Sequence, residues 1–230
     1  MVIHYKIRVI RENKVNKDNN LISEEPFETH FLSDRAEWVN SFLPEHFRGL
    51  TLTDYSVRYP GYAEITASAA HYVQDVLQGH RHSLVLYGDC DSGKTMLASI
   101  VFSAIATFIA DRSRYQDLLA CGTADNIAFV IAAKLPGMFR GKTDDGQPGI
   151  PHLSSCYLLV LDDLDKCARG EWGNELLALI DARVCQKLPT IVTMNTTPAE
   201  FEKRYGVPGE AIISRFKRTG SLFIRVGGAS

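Results

Sequence analysis

Eight consecutive residues, Gly88, Asp89, Cys90, Asp91, Ser92, Gly93, Lys94 and Thr95, satisfy the pattern GxxxxGK[ST] in full. These residue types define a chemistry. Glycines let the backbone curl until successive N–H groups point at one spot, and a helix starting at Lys94 adds the partial positive charge of its N-terminus there. Such a curl cradles the phosphates of a nucleoside triphosphate, with Met96 the next residue along it. Lys94 is expected to reach the β and γ phosphates, and Thr95 to hold Mg2+ through its hydroxyl. Asp89 and Asp91 put negative charge beside phosphates and are therefore expected to point outward. A chance glycine turn is the competing explanation. The apolar run SLVLYG before the motif and the apolar segment after it argue against that.

A second site candidate is Leu158-Leu159-Val160-Leu161-Asp162-Asp163, four apolar residues ending in two carboxylates. Asp162 is placed to hold Mg2+, directly or through water. Asp163, one residue on, suits a general base or a polariser of the attacking water. Asn195 ends the next apolar run, TIVTMN, where its amide can bond the attacking water or the γ phosphate; a turn-forming Asn is the alternative. Arg215 lies near the end of the last helical segment, in Ile-Ile-Ser-Arg-Phe-Lys-Arg. A guanidinium stabilises the charge that spreads over a transferring phosphoryl group. At that end of the domain it is far from its own phosphate loop and would serve a neighbouring subunit. The other explanation is a solvated basic helix end that suits the macrodipole.

These residues need a scaffold that brings distant segments together. Apolar runs at 83–88, 127–133, 157–163, 190–195 and 221–226 read as five strands. Between them, Ile65, Ala69, Tyr72, Val73, Val76 and Leu77 recur at helical spacing, Lys94 to Ala110 is apolar almost all round, and Trp172, Leu176, Leu179, Ile180 and Val184 mark an amphipathic helix. Thr197-Pro198-Ala199-Glu200 reads as a capped helix start, and residues 209–217 as a further helix. Strands that are wholly apolar and alternate with helices predict an α/β fold, a parallel five-stranded sheet with helices on both faces. Ligands of such sheets sit beyond the carboxyl ends of the strands, where these candidates fall. The strand at 127–133 comes between the phosphate loop and the acidic strand in the chain, unlike simple nucleotide kinases and GTPases. No NKxD guanine reader is present, which favours adenine as the base, with Tyr55 and its neighbours the candidate surroundings.

The 230 residues hold one full-sized domain and a small appendage. Residues 1–20 carry five basic and two acidic side chains, residues 21–60 three and seven. This switch sets a small N-terminal segment, 1–41, expected to bind a partner, apart from a main domain, 42–230. Its opening VIHYKIRVI alternates like a short strand, or is an arm that orders on binding. A net charge of −2 excludes the global cationic field of a dedicated duplex-DNA binder. The five cysteines form no CxxC pair, so neither a zinc site nor a disulfide framework is expected, and small core residues in a reducing compartment are. With no signal peptide and no apolar run of membrane-spanning length, the expectation is a cytoplasmic protein without membrane contact.

From about Phe42 to Val226 the chain resembles the DnaC/IstB-like group of AAA+ P-loop NTPases, on the segments LPEHFRGLTLTDY, LVLYGDCDSGKTMLA, LLVLDDLD, EWGNELLALIDARVCQKLPTIVTMN and ISRF. The resemblance implies ATP and Mg2+ as ligands and ATP hydrolysis as activity. It implies Lys94 and Thr95 as Walker A residues, Asp162 and Asp163 as Walker B, Asn195 as the first sensor and Arg215 as an arginine finger. A C-terminal helical lid, common in AAA+ proteins, is not expected. The function it implies is a loader that assembles as a homo-oligomer with shared ATP sites and places a DnaB-type replicative helicase on single-stranded DNA. A transposition helper binding duplex DNA, or a nucleotide-gated scaffold with little hydrolysis, are the alternatives. Two departures stand out: the second acid is Asp163 where many ATPases have Glu, and the stretch GKTDDGQPGIPH has Gly and Pro where a DNA-gripping helix would lie, so no helix is expected there.

Overall fold

A computed structural model describes residues 36–111, 127–141, 149–167 and 172–227. The expected N-terminal strand and most of the 1–41 segment lie outside the described residues, as do Cys121 and Lys142. The described chain begins with a helical stretch at 36–41 whose Val39 is fully buried and whose Trp38 meets Phe42 edge-on, 5.2 Å between ring centroids. The packed unit therefore reaches back past residue 42, because these side chains cover the core beside Phe102.

Five strands, β1 (Leu84–Tyr87), β2 (Ile127–Ile131), β3 (Leu158–Asp162), β4 (Thr190–Met194) and β5 (Leu222–Arg225), form one sheet in the order β2-β3-β4-β1-β5. Every pairing is parallel. Successive strand side chains point to opposite faces, and both faces are apolar here. Leu84, Leu86, Leu158, Val160 and Ile191 join one core. Val85, Leu159, Leu161, Val192 and Met194 join the other. This is why the strands read as unbroken apolar runs.

Helices α1 (Leu52–Arg58), α2 (Ala63–Leu77) and α3 (Lys94–Asp111) cover the first face. The second face is covered by α4 (Leu135–Phe139), α5 (Ile150–Ser155), α6 (Gly173–Cys185), α7 (Pro198–Tyr205) and α8 (Val207–Arg218). Two capping boxes fix helix starts: Thr51 with Asp54 on α1, and Thr197 with Glu200 on α7. Helix α5 differs from expectation. Pro151 occupies its first turn, where the missing N–H has no intrahelical partner to lose, so proline is compatible with a helix there.

The strand that follows the phosphate loop in sequence, β2, lies at the sheet edge, and β4 is inserted between β1 and β3. Registers Leu161↔Val192 and Val85↔Val192 level the carboxyl ends of the three strands. The loops after β1, β4 and β3 therefore emerge side by side. At the opposite end, the buried Arg183 guanidinium donates to the carbonyls of Leu153, Cys156 and Pro189 at 2.7–2.8 Å and to Thr190 Oγ1 at 2.8 Å. It ties the chain entering β3 to the chain entering β4. Its charge is met by four oxygens, as a buried guanidinium requires. Cys156 and Cys167 are buried as expected of core residues, whereas Cys90 and Cys185 are exposed. Among the described residues no helix is long and apolar enough to cross a membrane.

Candidate functional site

The loop after β1 is a curl that only glycine permits at two positions. Gly88 has φ +140°, and a Cβ there would lie 2.1 Å from the carbonyl oxygen of Val226. Gly93 has φ +92°, and a Cβ there would lie 2.6 Å from the ring of Tyr59. Tyr59 in turn stacks on Tyr62, 5.4 Å between centroids. An aromatic wall thus presses the curl from one side. Asp91 takes the left-handed conformation at φ 59°, and its side chain, like those of Asp89 and Cys90, is exposed. The Lys94 ammonium lies inside the curl, donating to the carbonyls of Gly88 at 3.0 Å and of Asp89, and to Ser92 Oγ at 3.2 Å. Burial pushes its pKa down, opposed by nearby Cys90, Asp163, Asp165 and Asp89.

Asp162 ends β3 and is buried. Its Oδ1 accepts from Thr95 Oγ1 at 2.9 Å and from Thr193 Oγ1 at 2.7 Å. Burial raises its pKa, and the two hydroxyl bonds only partly oppose this. A buried carboxylate stabilised by hydroxyls rather than a contacting cation is a hard-oxygen donor suited to Mg2+. Among the described residues no group of three or more His, Cys, Asp or Glu side chains converges on a metal position. Thr95 and Asp162, hard-oxygen donors joined at 2.9 Å, fit a Mg2+ that completes its shell with water and phosphate oxygens, which is how this ion is usually held.

Asp163 takes φ 56° and ψ 52°, a left-handed turn that costs a non-glycine residue ~1–3 kcal/mol. Three contacts hold it. Its N–H donates to Thr193 Oγ1 at 2.8 Å, its Oδ1 accepts from the Asn195 amide at 2.8 Å, and its Oδ2 pairs with Lys166 at 2.5 Å. Asn195 is held by its own N–H, which donates to Asp165 Oδ1 at 3.0 Å. The Asp165 carbonyl accepts from Tyr205 Oη at 3.0 Å, so α7 anchors this loop.

One cavity of about 500 Å³ opens onto this group, lined by Cys90, Asp91, Gly93, Lys94, Thr95, Met96, Asp163, Lys166 and Asn195 and also by His46, Phe47, Arg58 and Tyr59. The expected phosphate, metal-side and sensor residues are thus together, with Asp162 joined through Thr95. Of the expected base surroundings, Tyr55 itself is fully buried, while its neighbours Arg58 and Tyr59 line the cavity together with the tilted His46–Phe47 pair. Sequence reasoning also missed Thr193, Asp165 and Lys166. A hydroxyl in an apolar strand and charges within three residues of Asp163 were the only signals available.

Arg215 does not line this cavity. It lies on α8, which packs against α6. Its Nε donates to Asp181 Oδ1 at 2.6 Å and its Nη2 to Asp181 Oδ2 at 3.3 Å, a two-pronged pair that raises its pKa. Both side chains remain about a third exposed.

The architecture is that of the AAA+ P-loop fold. No family model matches the chain, and no curated protein matches it significantly. Solved structures do. DnaI is similar over 82% of this chain and 93% of its own, at 19% identity and a TM-score of 0.59. A candidate primosome component from Streptococcus pyogenes serotype M3 is similar over 82% and 91%, at 20% identity and 0.57. The DnaC helicase loader is similar over 71% and 89%, at 20% identity and 0.54. At these identities the likeness is one of fold.

Proposed function

We propose that this chain is an ATPase that works in DNA replication as a helicase loader, placing a ring-shaped DnaB-type helicase on single-stranded DNA. The observation that carries the ATPase half is the convergence of Lys94, Thr95, Asp163 and Asn195 on one cavity that aromatic residues also line, with Asp162 bonded to Thr95 beside it. The lining matches a nucleotide in chemistry: oxygen donors and ammonium groups suit phosphates, and flat rings with the Arg58 guanidinium suit a base. Lys94 binds the β and γ phosphates after leaving its loop carbonyls. Thr95 and Asp162 hold Mg2+, which when bound offsets phosphate charge. Asn195 and Asp163 position a water whose oxygen attacks the γ phosphorus while the bond to the ADP oxygen breaks, giving ADP and inorganic phosphate.

Arg215 supplies the missing cation to the site of an adjacent copy, so turnover requires a homo-oligomer. Support for this is its position outside its own cavity and its exposure, with Asp181 holding the guanidinium in a fixed orientation. The loader half is supported by likeness over most of the chain to DnaC, whose structure is described as a helicase loader, and by a net charge of −2, which suits a protein partner better than coating of duplex DNA. The N-terminal residues 1–41 are the proposed docking segment for the helicase.

The test is a pull-down of replicative helicase by full-length protein and by a chain lacking residues 1–35, with affinities for single-stranded and duplex DNA measured in parallel. Helicase capture by the full chain only, with tighter single-strand binding, is expected. Tighter duplex binding without helicase capture would overturn the loader reading in favour of a transposition helper.

A further inference from the structure

The ion pair on Asp163 gives Lys166 a role that neither the phosphate motif nor the fold assigns. Asp163 divides its carboxylate between two partners: Oδ1 faces the Asn195 amide at 2.8 Å, and Oδ2 faces the Lys166 ammonium at 2.5 Å. The second oxygen, the one Asn195 leaves open, is covered by a cation. Lys166 lines the same cavity as Lys94, Thr95 and Asn195. Its side chain is 58% exposed, so its stem is free to swing, while the carboxylate it covers is 20% exposed and fixed from the other side. An ammonium on a four-carbon stem is a mobile point charge with three rotatable donors. A single carboxylate oxygen competes poorly for it against a terminal phosphate carrying more charge and three acceptor oxygens.

We propose that Lys166 is a sensor of the γ phosphate that exchanges partners: it holds Asp163 Oδ2 until a nucleoside triphosphate enters, then moves to the γ phosphate and uncovers that oxygen for the attacking water. This rests on the ATPase reading above. The exchange leaves the Asn195–Asp163 bond intact, so the carboxylate keeps its direction while gaining an open oxygen. A diphosphate offers no γ group, and Lys166 stays on Asp163. The residue therefore discriminates triphosphate from diphosphate by contacting the γ phosphate itself, and its departure frees Asp163.

The experiment measures ATP and ADP affinities of the full chain with a fluorescent-nucleotide competition assay, alongside turnover. For Lys166→Met, affinity for ATP is expected to fall about tenfold, the loss of one charge-assisted hydrogen bond, with ADP affinity unchanged. Lys166→Arg is expected to restore the preference. Asp163→Asn removes the competing partner and is expected to tighten ATP binding severalfold, and to do so only when Lys166 is present. Equal changes for ATP and ADP in Lys166→Met, or no change in either, would overturn the proposal while leaving the ATPase reading intact. Wild-type protein that binds neither nucleotide would overturn both. Because Lys166 is exposed, the variants should fold; unchanged ADP affinity confirms this within the same assay.

Discussion

The carboxyl edge of the sheet and the surface of α8 carry the two halves of the proposed chemistry, and they are built differently. At the sheet edge, Asp162, Asp163 and Asn195 are fixed by buried hydroxyls, a backbone N–H and a loop anchored on α7. On α8, Arg215 is held by one partly exposed ion pair, and it is not among the residues lining the cavity of its own chain. The first half is organised before any ligand arrives. The second has a direction but no substrate within the chain. A site completed only by another copy couples hydrolysis to assembly, which is what a nucleotide-controlled loader needs.

The sharpest way to separate the halves is Arg215→Ala. Loss of an arginine finger is expected to cut turnover by about 10³-fold, with ATP affinity of the isolated chain essentially unchanged, as read by nucleotide titration and phosphate release. Lys94→Ala breaks the other half. ATP affinity is expected to fall about 100-fold, for the loss of about two charge-assisted hydrogen bonds, while Asp181 and Arg215 stay paired. Asn195→Ala leaves Asp163 without its lateral support, and a turnover loss of about tenfold is expected at unchanged affinity, the equivalent of one lost hydrogen bond.

The smallest effect is on stability and runs the opposite way. Asp162→Asn keeps an acceptor for Thr95 and Thr193 but removes a buried charge. A melting temperature ~3 °C higher is expected, equivalent to ~1 kcal/mol in a domain of this size, with Mg2+-dependent turnover lost. The pH dependence follows from the raised pKa of Asp162. As pH rises above the ordinary carboxylate value, the unfolded chain ionises first and the folded chain holds the proton longer. Without metal or nucleotide, this residue's contribution to stability therefore falls as pH rises through that window and levels off above the folded pKa. Melting curves of wild type and Asp162→Asn should converge at acid pH and diverge above it.

Much of the phosphate half was legible in the sequence because its residues act through local geometry. The curl needs glycines at fixed spacing, an apolar run ending in Asp162-Asp163 marks a strand edge, and Thr197 with Glu200 spells its capping box. What could not be read depends on which strand neighbours which. Thr193 looks like an ordinary β-branched strand residue until β4 lies beside β3, and then its hydroxyl bridges both acids. Tyr59 looks like one aromatic among several until it packs against Gly93. Asp181 belongs to an amphipathic helix and gives no hint of Arg215, 34 residues away in the chain. Pro151 misled because its penalty vanishes in the first turn of a helix.

The decisive measurement mixes two variants, Lys94→Ala, whose weakened ATP binding leaves its own site largely empty but which keeps Arg215, and Arg215→Ala, which keeps an intact cavity. If the guanidinium is donated between copies, equal mixing restores phosphate release that neither protein shows alone, and the recovery grows with total concentration. A mixture as inactive as its components, under conditions where wild type assembles and hydrolyses ATP, would contradict a shared site.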